Sequence, residues 1–388
     1  MSRARAACAA TNRRVVWFAA RVILPAVVFT AHAIAQTSDP PPKPPGNQSQ
    51  LFPPKMALGG AFVLPTVHYS QEIGFGLGAE VLFPFLLSPG QEARPSEVRL
   101  KGLVTFKGQT RFDFSTSLYF RDGTHFLRAR VSHRGTSERF YGIGPNTPTS
   151  NAEVYRPRRL LAYVEGFHQV LPYFKAGVRG EMEFFEFLER TAGGQLEDPT
   201  YANTSGEMAL GLGVVLEWDT RDRRYSPSRG LYYQVFGLLF DDALGSDFDF
   251  NNYNIDLRNY FSLGPEHVFA TQLFLYGATD SPPFWRYASL GGRVHTRGYR
   301  RDRFLDQVLV AVQGEYRAPV VWRLSASVFG GVATVAPSVS TLEFQYLHPT
   351  IGFGLNLHYK ANRTIVARLD NGFGEDGIHI DFGINESF

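Results

Sequence analysis

The residues best equipped for chemistry in this chain of 388 are the five arginines of GGRVHTRGYRRDRF, residues 291–304: Arg293, Arg297, Arg300, Arg301 and Arg303. A guanidinium is a permanent cation with a planar fork of donors, suited to phosphate or carboxylate. A nucleic-acid partner would call for a net positive field, yet 39 basic and 36 acidic residues leave only +3, so no nucleic acid is expected. Other chemistry finds little support. Ten histidines are scattered without H-x-x-x-H or His/Glu ligand spacing, so no metal site is expected. A lipid hydrolase needs a nucleophile with a base and an orienting acid; Ser132, His133 and His295 are candidates in name, with no acid placed beside them. GFGLGAE looks superficially like a phosphate loop but lies in an alternating strand. No catalytic residue and no cofactor is therefore expected.

The elements that must hold these arginines begin after residue 55. Residues 1–35 read as a secretory signal: Arg3, Arg5, Arg13, Arg14 and Arg21 precede VILPAVVFTAHAIA, which ends in the small-x-small pattern Ala33-Ile34-Ala35. Pro25 and His32 break the apolar run, which is too short for a membrane anchor. Cleavage near Ala35 removes Cys8, the single cysteine, so the mature chain has no disulfide or thiol chemistry. Residues 36–55 form a Pro-rich linker, and residues 56–388 one domain.

That domain alternates apolar and polar residues with period two, as strands with one dry and one wet face do. In TRFDFSTSLYFR, Phe112, Phe114, Leu118 and Phe120 oppose Arg111, Asp113, Ser115 and Ser117. In EMALGLGVVLEW, Met208, Leu210, Leu212, Val214, Leu216 and Trp218 oppose Ala209, Gly211, Gly213 and Glu217. A soluble β-sandwich also alternates, but these runs are long enough to cross a tilted bilayer, and their polar faces carry charges and glycines suited to a lumen. The reading is all-β: a transmembrane antiparallel barrel of about 16 strands. Its strands start near 57, 73, 96, 110, 124, 153, 172, 204, 229, 247, 266, 306, 321, 346, 363 and 377. Both termini then lie in the periplasm. The terminal run IHIDFGINESF puts Ile378, Ile380, Phe382, Ile384 and Phe388 on one face, and Phe382, Ile384 and Phe388 form an expected sorting signal for the barrel-assembly machinery.

With strands counted, the arginine stretch becomes the sixth outer loop, and its Arg297-Gly298-Tyr299 resembles the RGY motif of the BamA/TamA superfamily of outer-membrane barrels (bacterial surface antigens). EWDTRDRRYSPSRGLYY resembles that family's turn between strands eight and nine, through Asp219, Arg221, Asp222, Pro227, Arg229 and Gly230. VAVQGEYRAPV resembles the strand after loop six, and LPTVHYSQEIGFGLG the opening hairpin of the subgroup without periplasmic POTRA domains. The resemblance implies that loop six folds into the lumen, where Arg297 meets an acid on the inner wall. Glu315, Asp370 and Asp381 are the candidates by strand parity, and a fork of two parallel hydrogen bonds is the expected contact. Arg293, Arg300, Arg301 and Arg303 read equally well as a solvated surface that touches lipopolysaccharide phosphates. The chain departs from the family in two ways: the linker is too short for a periplasmic module, and LSASVFGGVATV carries Gly330 and Gly331 where an acid is often found.

The resemblance implies insertion or translocation of protein or lipid at the bacterial outer membrane. A passive channel or surface-structural barrel shares the same wall and stays open as the alternative. Expected partners are outer-membrane lipid and lipopolysaccharide, the barrel-assembly machinery during biogenesis, and a separate periplasmic protein.

Overall fold

The computed structural model describes residues 61–70, 73–87, 96–120, 123–198, 201, 206–224, 226–292, 294–358 and 366–384. The expected signal, the whole 36–55 linker, Arg293 and Phe388 lie outside the described residues, as do the side chains of Phe382 and Ile384.

The wall opens with β1 (Phe62–Ser70), β2 (Gly74–Phe85), β3 (Ser96–Thr105), β4 (Thr110–Phe120) and β5 (His125–Gly135). A short β6 (Glu138–Phe140) pairs with the start of β7 (Glu153–Leu171). Next come β8 (Phe174–Glu189), β9 (Glu207–Asp219), β10 (Gly230–Phe240), β11 (Phe250–Gly264) and β12 (His267–Asp280). A small hairpin, β13 (Ala288–Leu290) and β14 (Phe304–Asp306), interrupts the connection to β15 (Val308–Val321). The chain continues through β16 (Leu324–Ala336), β17 (His348–His358), β18 (Val366–Gly374) and β19 (Gly377–Ile384).

Leaving aside β6, β13 and β14, sixteen strands among the described residues form one antiparallel ladder from β1 to β19. Fifteen of the sixteen start within three residues of the positions read from the alternation; the first starts at Phe62 instead of 57.

Polarity is inverted relative to a soluble fold. Along β17, His348, Thr350, Asn356 and His358 are buried, whereas Ile351, Phe353, Leu355 and Leu357 are exposed. On β9, Glu207 and Glu217 are buried while Leu212, Val214, Leu216 and Trp218 face out. Apolar side chains gain nothing from facing out into water but are at home against lipid, so this pattern belongs to a membrane barrel.

The longest connections, 136–152, 190–206 and 281–307, leave one end, the outer end of such barrels. The other end includes three tight turns, in which Tyr173, Glu266 and Trp322 take a left-handed conformation (φ 66°, 67° and 52°) beside local shifts of register. At the outer end the inner wall is apolar. Phe140, Tyr155, Phe185, Phe240 and Phe250 close around Phe284 and Trp285 from the start of loop six.

Candidate functional site

Loop six runs through residues 281–307 between β12 and β15, and its centre lies against the inner wall. The strand parity that turns Val312 and Tyr316 outward turns Gln313, Glu315 and Arg317 inward, where all three are buried. Arg297 is only 1 % exposed. Its Nη1 lies 2.6 Å from Glu315 Oε2 and 3.2 Å from Asp370 Oδ2. Nη2 donates to Gln313 Oε1 at 3.5 Å, and the guanidinium sits 3.5 Å from the centre of the Phe329 ring. One nitrogen thus bridges two carboxylates, in place of the fork on a single acid that the sequence suggested. Neighbouring cations share both acids: Arg317 Nε donates to the other Glu315 oxygen at 2.7 Å, and Arg368 Nε lies 3.1 Å from Asp370 Oδ2, the oxygen that Arg297 also meets. Asp381, the third candidate, pairs in register with Asp370 and is partly buried.

The backbone around Arg297 is held by fit. Gly298 has φ of 115°, a conformation that costs other residues steric strain. A Cβ there would lie 2.8 Å from Thr350 Oγ1 and 2.9 Å from the Phe373 carbonyl. The wall reciprocates: a Cβ on Gly372 would lie 2.6 Å from the Gly298 nitrogen. Two glycine backbones therefore meet where loop six lies on β18. Thr350 Oγ1 donates to the Arg297 carbonyl, and the Tyr299 hydroxyl donates to the Pro349 carbonyl at 2.9 Å. Burial pushes the Tyr299 hydroxyl up to about 12, so it stays a donor.

The turn between β9 and β10 is built by its own carboxylates. Arg221 forks onto Asp219 at 2.9 and 3.0 Å and lies over the Tyr232 ring. Asp222 accepts from the backbone nitrogens of Ser228 and Arg229, and Gly230 opens β10 with φ of 101°. Pro227 is buried within the turn and Arg229 is exposed. Arg224 reaches Ser117 Oγ on β4 at 2.9 Å and Glu97 on β3 at 3.3 Å, fastening the turn across to the first strands.

Several groups escaped the sequence reading. Arg286 in loop six contacts Glu181 and Glu183 at 2.6 and 2.7 Å, at the head of an inner-wall ion-pair chain. The chain continues through Arg179 to Glu165 (2.5 Å), Arg128 to Glu165 and Glu217 (2.8 and 2.9 Å), and Lys175 to Glu217 (2.9 Å). The inward parity of Glu181 and Glu183 was the available signal, since buried carboxylates need cations. Phe329, beside the glycines that stand in place of an acid, was also missed.

Arg303 corrects the picture of a solvated basic surface. It is buried, lies 2.5 Å from Asp376, donates to Thr147 Oγ1 at 3.1 Å and stacks over Phe304. Arg301 is exposed and Arg300 partly so. Ser132 and His133 make no dyad, because adjacent residues of β5 point to opposite faces. His295 stacks on Phe274 at 3.6 Å, and burial pushes its imidazole down to about 4 despite the nearby Asp256 carboxylate.

A family model described as the Omp85 superfamily domain matches residues 103–388. No curated protein matches the sequence. Among solved structures, BamA from Haemophilus ducreyi lacking POTRA domains 1–3 is 15 % identical with a TM-score of 0.55, covering 84 % of this chain and 69 % of that one. CdiB from Acinetobacter baumannii is 12 % identical (TM-score 0.53; 84 % and 59 % covered). CdiB from Escherichia coli is 8 % identical (TM-score 0.52; 84 % and 62 % covered). The chain thus spans less than two thirds of either CdiB. At these identities the likeness is one of fold.

Proposed function

Because the chain belongs to the Omp85 superfamily, we propose that this outer-membrane barrel inserts or translocates protein or lipid and does not serve as an open solute pore. The observation that carries the reading is the occupied lumen. Loop six lies inside, pinned through the buried Arg297 to Glu315 and Asp370. Aromatic side chains around Phe284 and Trp285 close the outer end. A passive channel needs a continuous wet path, and here the inward charges of β7–β9 are buried in ion pairs with one another. A loop held by such a cluster can keep a barrel shut until a client engages it.

In this role Arg297, Gly298 and Tyr299 form the docking element and Glu315 with Asp370 its receptor. The turn of Asp219, Arg221, Asp222, Pro227, Arg229 and Gly230 braces the periplasmic end. Phe388, with Phe382 and Ile384, serves as the sorting signal read by the assembly machinery. Outer-membrane lipid and lipopolysaccharide surround the wall, and a separate periplasmic protein would deliver the client.

Two measurements on the purified barrel test this. In planar bilayers the parent should show almost no steady conductance, and a variant lacking residues 284–305 should conduct. In liposomes the parent should accelerate insertion of an unfolded client barrel. A steadily conducting parent with no effect on client insertion would leave a passive channel as the function.

A further inference from the structure

At the outer mouth, loop 136–152 reaches from β5 and β7 to strands near the far end of the ladder. The Gly144 nitrogen donates to the Leu305 carbonyl of loop six at 2.7 Å. Arg303 donates to Thr147 Oγ1 at 3.1 Å while lying 2.5 Å from Asp376, in the turn between β18 and β19. Beside them stands His348, the first residue of β17, buried and stacked on Phe304 at 3.9 Å. Its Nε2 lies 2.8 Å from the Pro145 carbonyl, 203 residues away in the chain, and its Nδ1 lies 3.2 Å from Glu375 Oε2. One imidazole therefore ties loop 136–152, β17 and the last hairpin together.

The count of donors on this ring matters. A carbonyl oxygen can only accept, and so can an ionised carboxylate. Both contacts are hydrogen bonds only when both ring nitrogens carry a proton, as in the imidazolium. A neutral ring has a single N–H and must forfeit either Pro145 or Glu375. The neighbouring groups do not supply the missing donor. Tyr299 meets the ring edge-on at 5.9 Å and gives its hydroxyl to the Pro349 carbonyl. Arg303 is engaged by Asp376 and Thr147, and the residue of β16 in register with His348 is Ala333.

We propose that His348 is a proton-controlled latch that straps loop 136–152 over the outer mouth, closed when the ring is charged and loosened when it is neutral. Between about pH 5.5 and 8.5 a carboxylate and a guanidinium ordinarily keep their charges, whereas an imidazole gives up its second proton. The closed form uses that proton, so closure is fullest at the acid end and weakens as pH rises through the imidazole range. The contacts of Arg303 and Gly144 persist throughout, so the strap loosens without leaving the mouth altogether. The inference rests on the mouth alone, whether or not the barrel inserts clients.

Pulsed EPR on the mature protein in nanodiscs, spin-labelled at Asn146→Cys and Phe344→Cys, tests the latch. Both positions are exposed, and Cys8, the one native cysteine, lies in the expected signal. At pH 5.5 the parent should give one narrow distance. At pH 8.5 a longer, broader population should grow about tenfold, as loss of one charge-assisted hydrogen bond allows. His348→Phe should show the broad population at both pH values. Glu375→Gln should stay narrow at both, because its amide can donate to an unprotonated Nδ1 while Nε2–H still serves Pro145. A histidine that merely fills space would not respond to that exchange. His125→Gln, at the start of β5 and so at the opposite end of the wall, should follow the parent. Heat-modifiable mobility verifies folding of each variant. A parent whose distances are the same at the two pH values, or a Glu375→Gln variant that changes as the parent does, overturns the proposal.

Discussion

Replacing Arg297 by alanine removes the cation shared by Glu315 and Asp370. Deleting one member of a buried ion pair costs about 3–5 kcal/mol, chiefly because the other charge stays desolvated and uncompensated. Here the carboxylates are not wholly abandoned, since Arg317 remains 2.7 Å from Glu315 and Arg368 3.1 Å from Asp370. That places the electrostatic loss near the low end, about 3 kcal/mol. The contact with the Phe329 ring is lost as well, which contributes roughly 1 kcal/mol. A loss of about 3–4 kcal/mol raises the open-to-docked ratio of loop six by between two and three orders of magnitude. Limited proteolysis of intact cells reads this directly: cleavage between Gly292 and Asp302 should appear in Arg297→Ala and not in the parent. Arg297→Lys should fall between them, because an ammonium can meet one carboxylate but cannot also lie flat on Phe329. Arg301→Ala serves as the exposed control and should match the parent. If Arg297→Ala is cut no faster than Arg301→Ala at matched barrel levels, Arg297 does not hold the loop, and the proposed lock fails.

Four further outcomes are expected. Gly298→Ala should loosen the loop by about 1–3 kcal/mol through a strained φ and crowding against Thr350 and Phe373; an unchanged protease pattern would contradict the close approach. His295 is held near 4 when buried against Phe274 and returns toward 6.5 when released. Docking should therefore be complete above about pH 6.5 and weaken as pH falls toward 4, and His295→Phe should flatten that dependence in pH-stepped proteolysis. Pro172→Cys should resist an impermeant thiol reagent on intact cells while Ala192→Cys reacts, and the reverse labelling would invert the wall. Deleting Phe388 should deplete heat-modifiable barrel in the outer membrane, whereas Ser387→Ala should not, and equal levels would remove Phe388 from sorting.

The wall was legible in the sequence because its physics is local. A strand with lipid on one side and a lumen on the other must alternate, so Leu212, Val214 and Leu216 against Glu217, or Val312 and Tyr316 against Glu315, disclose both the strand and its inward face. Parity likewise nominated Glu315 and Asp370, and RGY marked the loop that would meet them. Parity does not say which inward residues converge. Arg297 meets Asp370 across 73 residues of sequence, and the height at which they meet depends on register and on how deeply the loop descends. Tertiary structure therefore decided that one guanidinium nitrogen would bridge two acids, with Arg317 on the other Glu315 oxygen and Arg368 sharing Asp370 Oδ2 with it. It also decided that Phe329 would lie beneath the cation and that Arg286 and Arg303 would be drawn inside. The sequence determined a barrel with a cation-bearing loop, since both follow from residue type and period. Which charges neutralise which was settled only when sixteen wet faces were brought around one narrow interior, where every buried ion must find a partner from a distant strand.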